Sequence, residues 1–174
     1  MKKLGLASLV FKHRVEHLEI CAALGVFAVG ALVYLFDRSA ADIYFIPAWW
    51  HFADGTPGLF GLVGQCLPSF AHTFCFCLLI SALLTPWRIA PLAICVSWVA
   101  VEAFLELAQV GPAADRIMTL LPVWLANWPI LGNVPSYFLH GRFDPLDLTC
   151  IGFGGAAAYL TIILLNRIGG TKSC

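Results

Sequence analysis

The sequence predicts an all-α fold: a polytopic membrane helix bundle of four transmembrane helices with short interfacial segments. Three observations carry this. The 174 residues are 60% hydrophobic and only 11% charged, where a soluble domain carries roughly a quarter charged residues, and mean hydropathy is +0.86. Four apolar runs, at residues 18–36, 67–85, 89–109 and about 146–165, are each long enough to cross a hydrocarbon core of roughly 30 Å. The two long links between runs concentrate Trp, Tyr, Phe and Pro, and amphipathic rings favour the headgroup level. The chain reads as a single transmembrane domain, 1–174. Its formal net charge of +0 offers nothing to nucleic acid.

The first run lacks a small-x-small exit and is long enough to span, so it reads as a helix that stays rather than a cleaved signal. The second run meets the third through "TPWRI", a tight turn marked by Pro86. Five of the seven cysteines (Cys21, Cys75, Cys77, Cys95 and Cys150) fall in apolar runs, where a thiol behaves as a small hydrophobe. With no C-x-x-C pair, the expectation is against redox or zinc chemistry.

The third run carries "VEAFLELAQ". Glu102, Glu106 and Gln109 are spaced i, i+4, i+7, which places them on one helix face. A charged side chain at mid-bilayer costs about 2.5–3.5 kcal/mol, so this face is expected to turn toward protein or water. The fourth run opens on Asp144–Pro145, with Asp147 close behind: an N-cap, a proline at the first helical position and an acid at the positive end of the dipole. Small residues in "GFGGAAAY" allow close helix approach.

Basic residues orient the four spans. Lys2, Lys3, Lys12, Arg14, Arg88, Arg167 and Lys172 fall on one side; Arg38, Arg116 and Arg142 fall on the other. The richer side is expected to be cytoplasmic, with both termini inside. "DIYFIPAWWHF" and "IMTLLPVWLANWPILGNVPSYF" then become short helices or re-entrant pieces at the outer interface. A fifth span through 117–134 is disfavoured by Pro122, Asn127, Pro129 and Asn133.

In that arrangement His72, Glu102, Glu106, Gln109, Arg142, Asp144 and Asp147 can all reach one outer pocket, from three helices at matched depth. Each has a plainer role open to it. Asp144 can simply cap, Asp147 can pair with Arg142, His72 can donate to a neighbouring carbonyl, and Gln109 can link helices. His51, His72 and His140 lack any compact metal-ligand spacing, and no G-x-S-x-G, P-loop or dinucleotide fingerprint occurs. No cofactor and no metal are therefore expected. A reaction using Glu106 or His72 as general base is the least supported reading.

"PSFAHTFCFCLLISALL", "ELAQ" and "GRFDPLDLTCIGFGG", in that order on successive helices, resemble the VanZ-like family of small bacterial membrane proteins. The resemblance covers Pro68–Tyr159. It rests on His72, the E-x-x-Q of Glu106 and Gln109, Arg142, Asp147 and Gly154; Ile151 departs from the Asn that the family often carries. The resemblance implies an outward-facing polar site in a small bundle, contacting a membrane lipid or an envelope glycolipid. It implies no reaction. The site residues expected to bind such a ligand are His72, Glu102, Glu106, Gln109, Arg142 and Asp147. The rival expectation is a small accessory or structural subunit, its apolar faces covered by other membrane subunits.

Overall fold

The computed structural model describes residues 2–37, 60–87, 89–128, 132, 134–141 and 143–170. Among them the fold is all-helical, with no strand. Six α-helices follow in order: α1 Lys2–Asp37, α2 Gly61–Leu84, α3 Pro91–Leu107, α4 Gly111–Leu120, α5 Val134–His140 and α6 Pro145–Gly170. A 3-10 turn at Thr85–Trp87 joins α2 toward α3, and another covers Val123–Asn127.

Three helices are long and apolar enough to cross a membrane, in the windows Arg14–Asp37, Val63–Trp87 and Pro145–Ile168. The third predicted run behaves differently. Its helix stops at Leu107, and α3 and α4 qualify as a crossing only together, bent by 101° at the break. The sequence supplies the reason. Pro112 has no N–H to continue the ladder from α3, and it sits in the first turn of α4 after an extended Val110. At about 1.5 Å per residue, α3 is roughly 25 Å long. Several predicted bounds also move. α1 begins at Lys2 rather than residue 18, and α2 begins at Gly61 rather than residue 67, which places Cys66 inside a helix. The 36 residues of α1 give about 54 Å of helix, more than a bilayer core needs.

α1 and α3 run antiparallel to α2 and α6. Near one end of the bundle Asp37 Oδ1 accepts the Phe60 N–H at 3.1 Å, tying the end of α1 to the start of α2. That end also carries α4 and α5. The main core joins four helices: Ala23 from α1, Phe74, Cys77 and Leu78 from α2, Cys95 from α3, Ala158 and Ile162 from α6. Close approach depends on small residues, as expected in a bundle without a hydrophobic drive between helices. A Cβ on Gly30 would stand 2.7 Å from Ala71 Cβ, and one on Gly154 would stand 2.7 Å from the Phe70 carbonyl oxygen. A Cβ on Gly155 would overlap Val99. The small-residue stretch of the fourth run is thus where α6 meets α2 and α3.

A second, smaller core packs Ala108, Ala114 and Phe138 with Leu105, Ile117, Val134 and Tyr137. It folds α4 and α5 over the end of α3. Short helices do replace a loop in the second Trp-rich link. The first, "DIYFIPAWWHF", lies outside the described residues.

Candidate functional site at the α4–α5 end of the bundle

The site follows from how α2 and α3 form a hairpin. The Thr85–Trp87 turn is short, so residues equally far from it face one another. His72 lies fifteen positions before Trp87 and Glu102 fifteen after. Their side chains meet: His72 Nδ1 lies 2.6 Å from Glu102 Oε1. The partner of His72 is therefore Glu102, not Glu106, which lies about 6 Å further along the helix. The imidazole is 46% exposed and the carboxylate 12%. Oε1 itself is fully buried, and beyond the His72 contact it has no partner among the described residues. Phe76 packs its ring 4.5 Å from the imidazole, and Trp98 stacks on Phe76 at 4.9 Å.

Glu106 does different work. It is 8% exposed and its Oε1 accepts the Asp144 N–H at 2.9 Å. Gln109 Nε2 donates to its Oε2 at 3.4 Å. The carboxylate so fastens the end of α3 to the start of α6. Gln109 sits beyond α3, in the turn before α4, so the predicted three-residue stripe reduces to Glu102 and Glu106 on the helix itself. Gln109 Oε1 lies close to Gly141; a Cβ there would stand 2.6 Å away. Asp144 caps α6 as its sequence position suggests, its Oδ1 accepting the Leu146 N–H at 2.8 Å.

Asp147 in the first turn of α6 accepts the Ser69 hydroxyl at 2.6 Å. Ser69 precedes His72 by one turn of α2, so the Asp147 and Glu102 contacts fall on neighbouring turns. Arg142, His51 and the side chain of His140 lie outside the described residues. Among the described residues no group of three metal-ligating side chains gathers.

Against protein-family models, characterised proteins and solved structures, the chain matches none. Its chemistry must be taken from its own side chains.

One polar residue escaped the sequence reasoning. Glu19 of α1 is 3% exposed, pairs with Ser81 of α2, and leaves Oε2 without a partner among the described residues. Beside it Cys77 and Cys95 meet in the core. Its position inside the first apolar run was the available signal. The cysteine expectation holds for Cys75, Cys77, Cys95 and Cys150, which are buried, while Cys21 is exposed on α1.

Proposed function

We propose that this chain is a VanZ-like protein of the bacterial inner membrane, with four spans and both termini cytoplasmic. Its outward-facing polar pocket binds a lipid or an envelope ligand. The observation that carries this is the His72–Glu102 pair. A half-exposed imidazole beside a nearly buried carboxylate sits within helices otherwise faced by Leu, Phe and Val. Exposed polar groups in a span mark sites of ligand or proton traffic far more often than packing does. An imidazole N–H can donate and a carboxylate oxygen can accept, which suits a hydroxyl or a cationic group. Glu106, Gln109 and Asp147 line the same end and hold the walls. Arg142, which the family resemblance adds, suits an anionic headgroup. No nucleophile motif or cofactor fingerprint accompanies the pair, which favours binding over catalysis.

Gentle purification followed by native mass spectrometry tests this. The wild type is expected to retain a lipid, and Glu102→Gln and His72→Ala to lose it while staying folded. A stoichiometric protein partner with no lipid would favour the accessory-subunit reading. Equal lipid retention in wild type and both variants would remove the pocket.

A further inference from the structure

A row of hydroxyls and one thiol runs down α2 and into the turn after it. Ser69, Thr73, Cys77, Ser81 and Thr85 recur at every fourth position, over about 24 Å of helix. That is most of a hydrocarbon core of roughly 30 Å. Thr73 and Cys77 are fully buried and Ser81 nearly so. Each neighbouring helix brings a group to this row. The Ser69 hydroxyl donates to Asp147 of α6 at 2.6 Å. Thr73 lies against Gly154 of α6, where an added Cβ would stand 3.1 Å from Thr73 Cβ. Cys77 meets Cys95 of α3, and Ser81 bonds Glu19 of α1.

A buried hydroxyl can be satisfied by the carbonyl one turn back. Thr73 and Thr85 are, donating to the Ser69 and Ser81 carbonyls at 2.9 and 3.0 Å. Glu19 is not so easily explained. It is 3% exposed, and its Oε2 has no partner among the described residues. An amide would link helices without the cost of an acid in a span. What a carboxyl adds is a proton that it can release and regain. Around Glu19 stand Glu16, one turn earlier on α1, with Ser81 of α2 and Cys95 of α3. Glu16 is only partly buried and lies toward the end of the bundle away from α4 and α5. Asp147, also partly buried, stands at the opposite end.

We propose that this row is a proton path through the bundle, from Glu16 and Glu19 by way of Ser81, Cys77, Thr73 and Ser69 to Asp147. Successive members lie about 6 Å apart along the axis, the span of one water bonded to both at about 2.8 Å each. A hydroxyl that donates to a carbonyl keeps lone pairs that accept. Each O–H or S–H bond formed on one member is matched by one broken on the next. A proton taken up at Glu16 is therefore balanced by one released at Asp147, and no electrons move. Glu19 holds the proton in transit. The path goes beyond ligand binding at His72–Glu102 and does not depend on it.

The test uses the full chain in phosphatidylcholine liposomes with a pH-sensitive dye inside, driven by a valinomycin-set potassium potential. Wild type is expected to change the internal pH faster than protein-free liposomes do. Glu19→Gln keeps a contact to Ser81 but has no acidic proton. Thr73→Val keeps the shape and removes the hydroxyl, leaving about 12 Å between Ser69 and Cys77. Each is expected to slow the flux about tenfold, a barrier rise of about 1.4 kcal/mol. Thr73→Ser keeps the hydroxyl and is expected to conduct like wild type; a packing role alone predicts the reverse order for Val and Ser. Melting temperatures establish that the variants are folded, and Glu19→Gln decides alone if Thr73→Val is not. Wild-type flux equal to that of protein-free liposomes, or wild-type flux in folded Glu19→Gln, overturns the proposal. So does a folded Thr73→Val that conducts as well as Thr73→Ser.

Discussion

Glu106 gives the sharpest test of how the end of α3 is joined to α6. Its Oε1 accepts the Asp144 N–H at 2.9 Å and its Oε2 receives Gln109 at 3.4 Å. The first is a charge-assisted bond to backbone, worth about 1.5–3 kcal/mol, against about 0.5–1.5 for a neutral one. Glu106→Gln keeps an acceptor for Asp144 and removes the charge, so it should cost about 1 kcal/mol. Glu106→Ala removes the acceptor and leaves a partly buried N–H unmade, at about 2–3 kcal/mol. For a chain of this size, each kcal/mol shifts the melting temperature by roughly 2–4 °C. The expected losses are then roughly 2–4 °C for Gln and 4–12 °C for Ala. A thiol-reactive fluorophore reads this in detergent, because Cys75, Cys77, Cys95 and Cys150 are buried until the bundle opens. Asp115→Ala, on the exposed side of α4, serves as the unshifted control. If Glu106→Ala melts with that control, the carboxylate does not hold the two helices together.

Other expectations follow from contacts at particular positions. Gly155→Leu should destabilise the bundle sharply, because a side chain there runs into Val99, whereas Gly152→Ala meets nothing and should be silent in the same melt. Cys66 lies against Cys150, so mild oxidation should link α2 to α6 in a way that protects an internal fragment after cleavage between them; no cross-link would argue against that packing. Reporter fusions after Pro86 and at the C-terminus should both read cytoplasmic, and an external C-terminus would refute the proposed orientation.

How legible each feature was depends on how far apart its parts lie along the chain. The start of α6 could be read at once, because Asp144, Pro145 and Asp147 are neighbours and their preferences are local. The bend after α3 was also present in Gln109–Val110–Gly111–Pro112, although apolarity alone carried the run two residues too far. The His72–Glu102 pairing is an intermediate case. Insertion cost marked both residues separately, but only counting outward from the Thr85–Trp87 turn brings them opposite each other. The same count sets Ile80 opposite Ile94, and both line one crevice between α2 and α3, whereas Cys77 meets Cys95 two positions off it.

Glu19 marks where such counting stops. Its partner Ser81 lies on the helix that follows a long connection, so no turn fixes the register of α1 against α2. That register is set instead by side-chain volume, where Gly30 admits Ala71, and by Asp37 reaching the start of α2. These are tertiary fits that leave no periodic trace in the sequence. Glu19 and Glu102 are consequently held in different ways. Glu19 is 3% exposed and reaches Ser81 of α2. Glu102 stands beside an imidazole that is open on one side. Both carboxylates carry the cost of burial, but the exposed imidazole gives Glu102 a direct link to the surroundings. That difference in access, rather than any difference in residue type, is why the proposed site is placed at His72–Glu102.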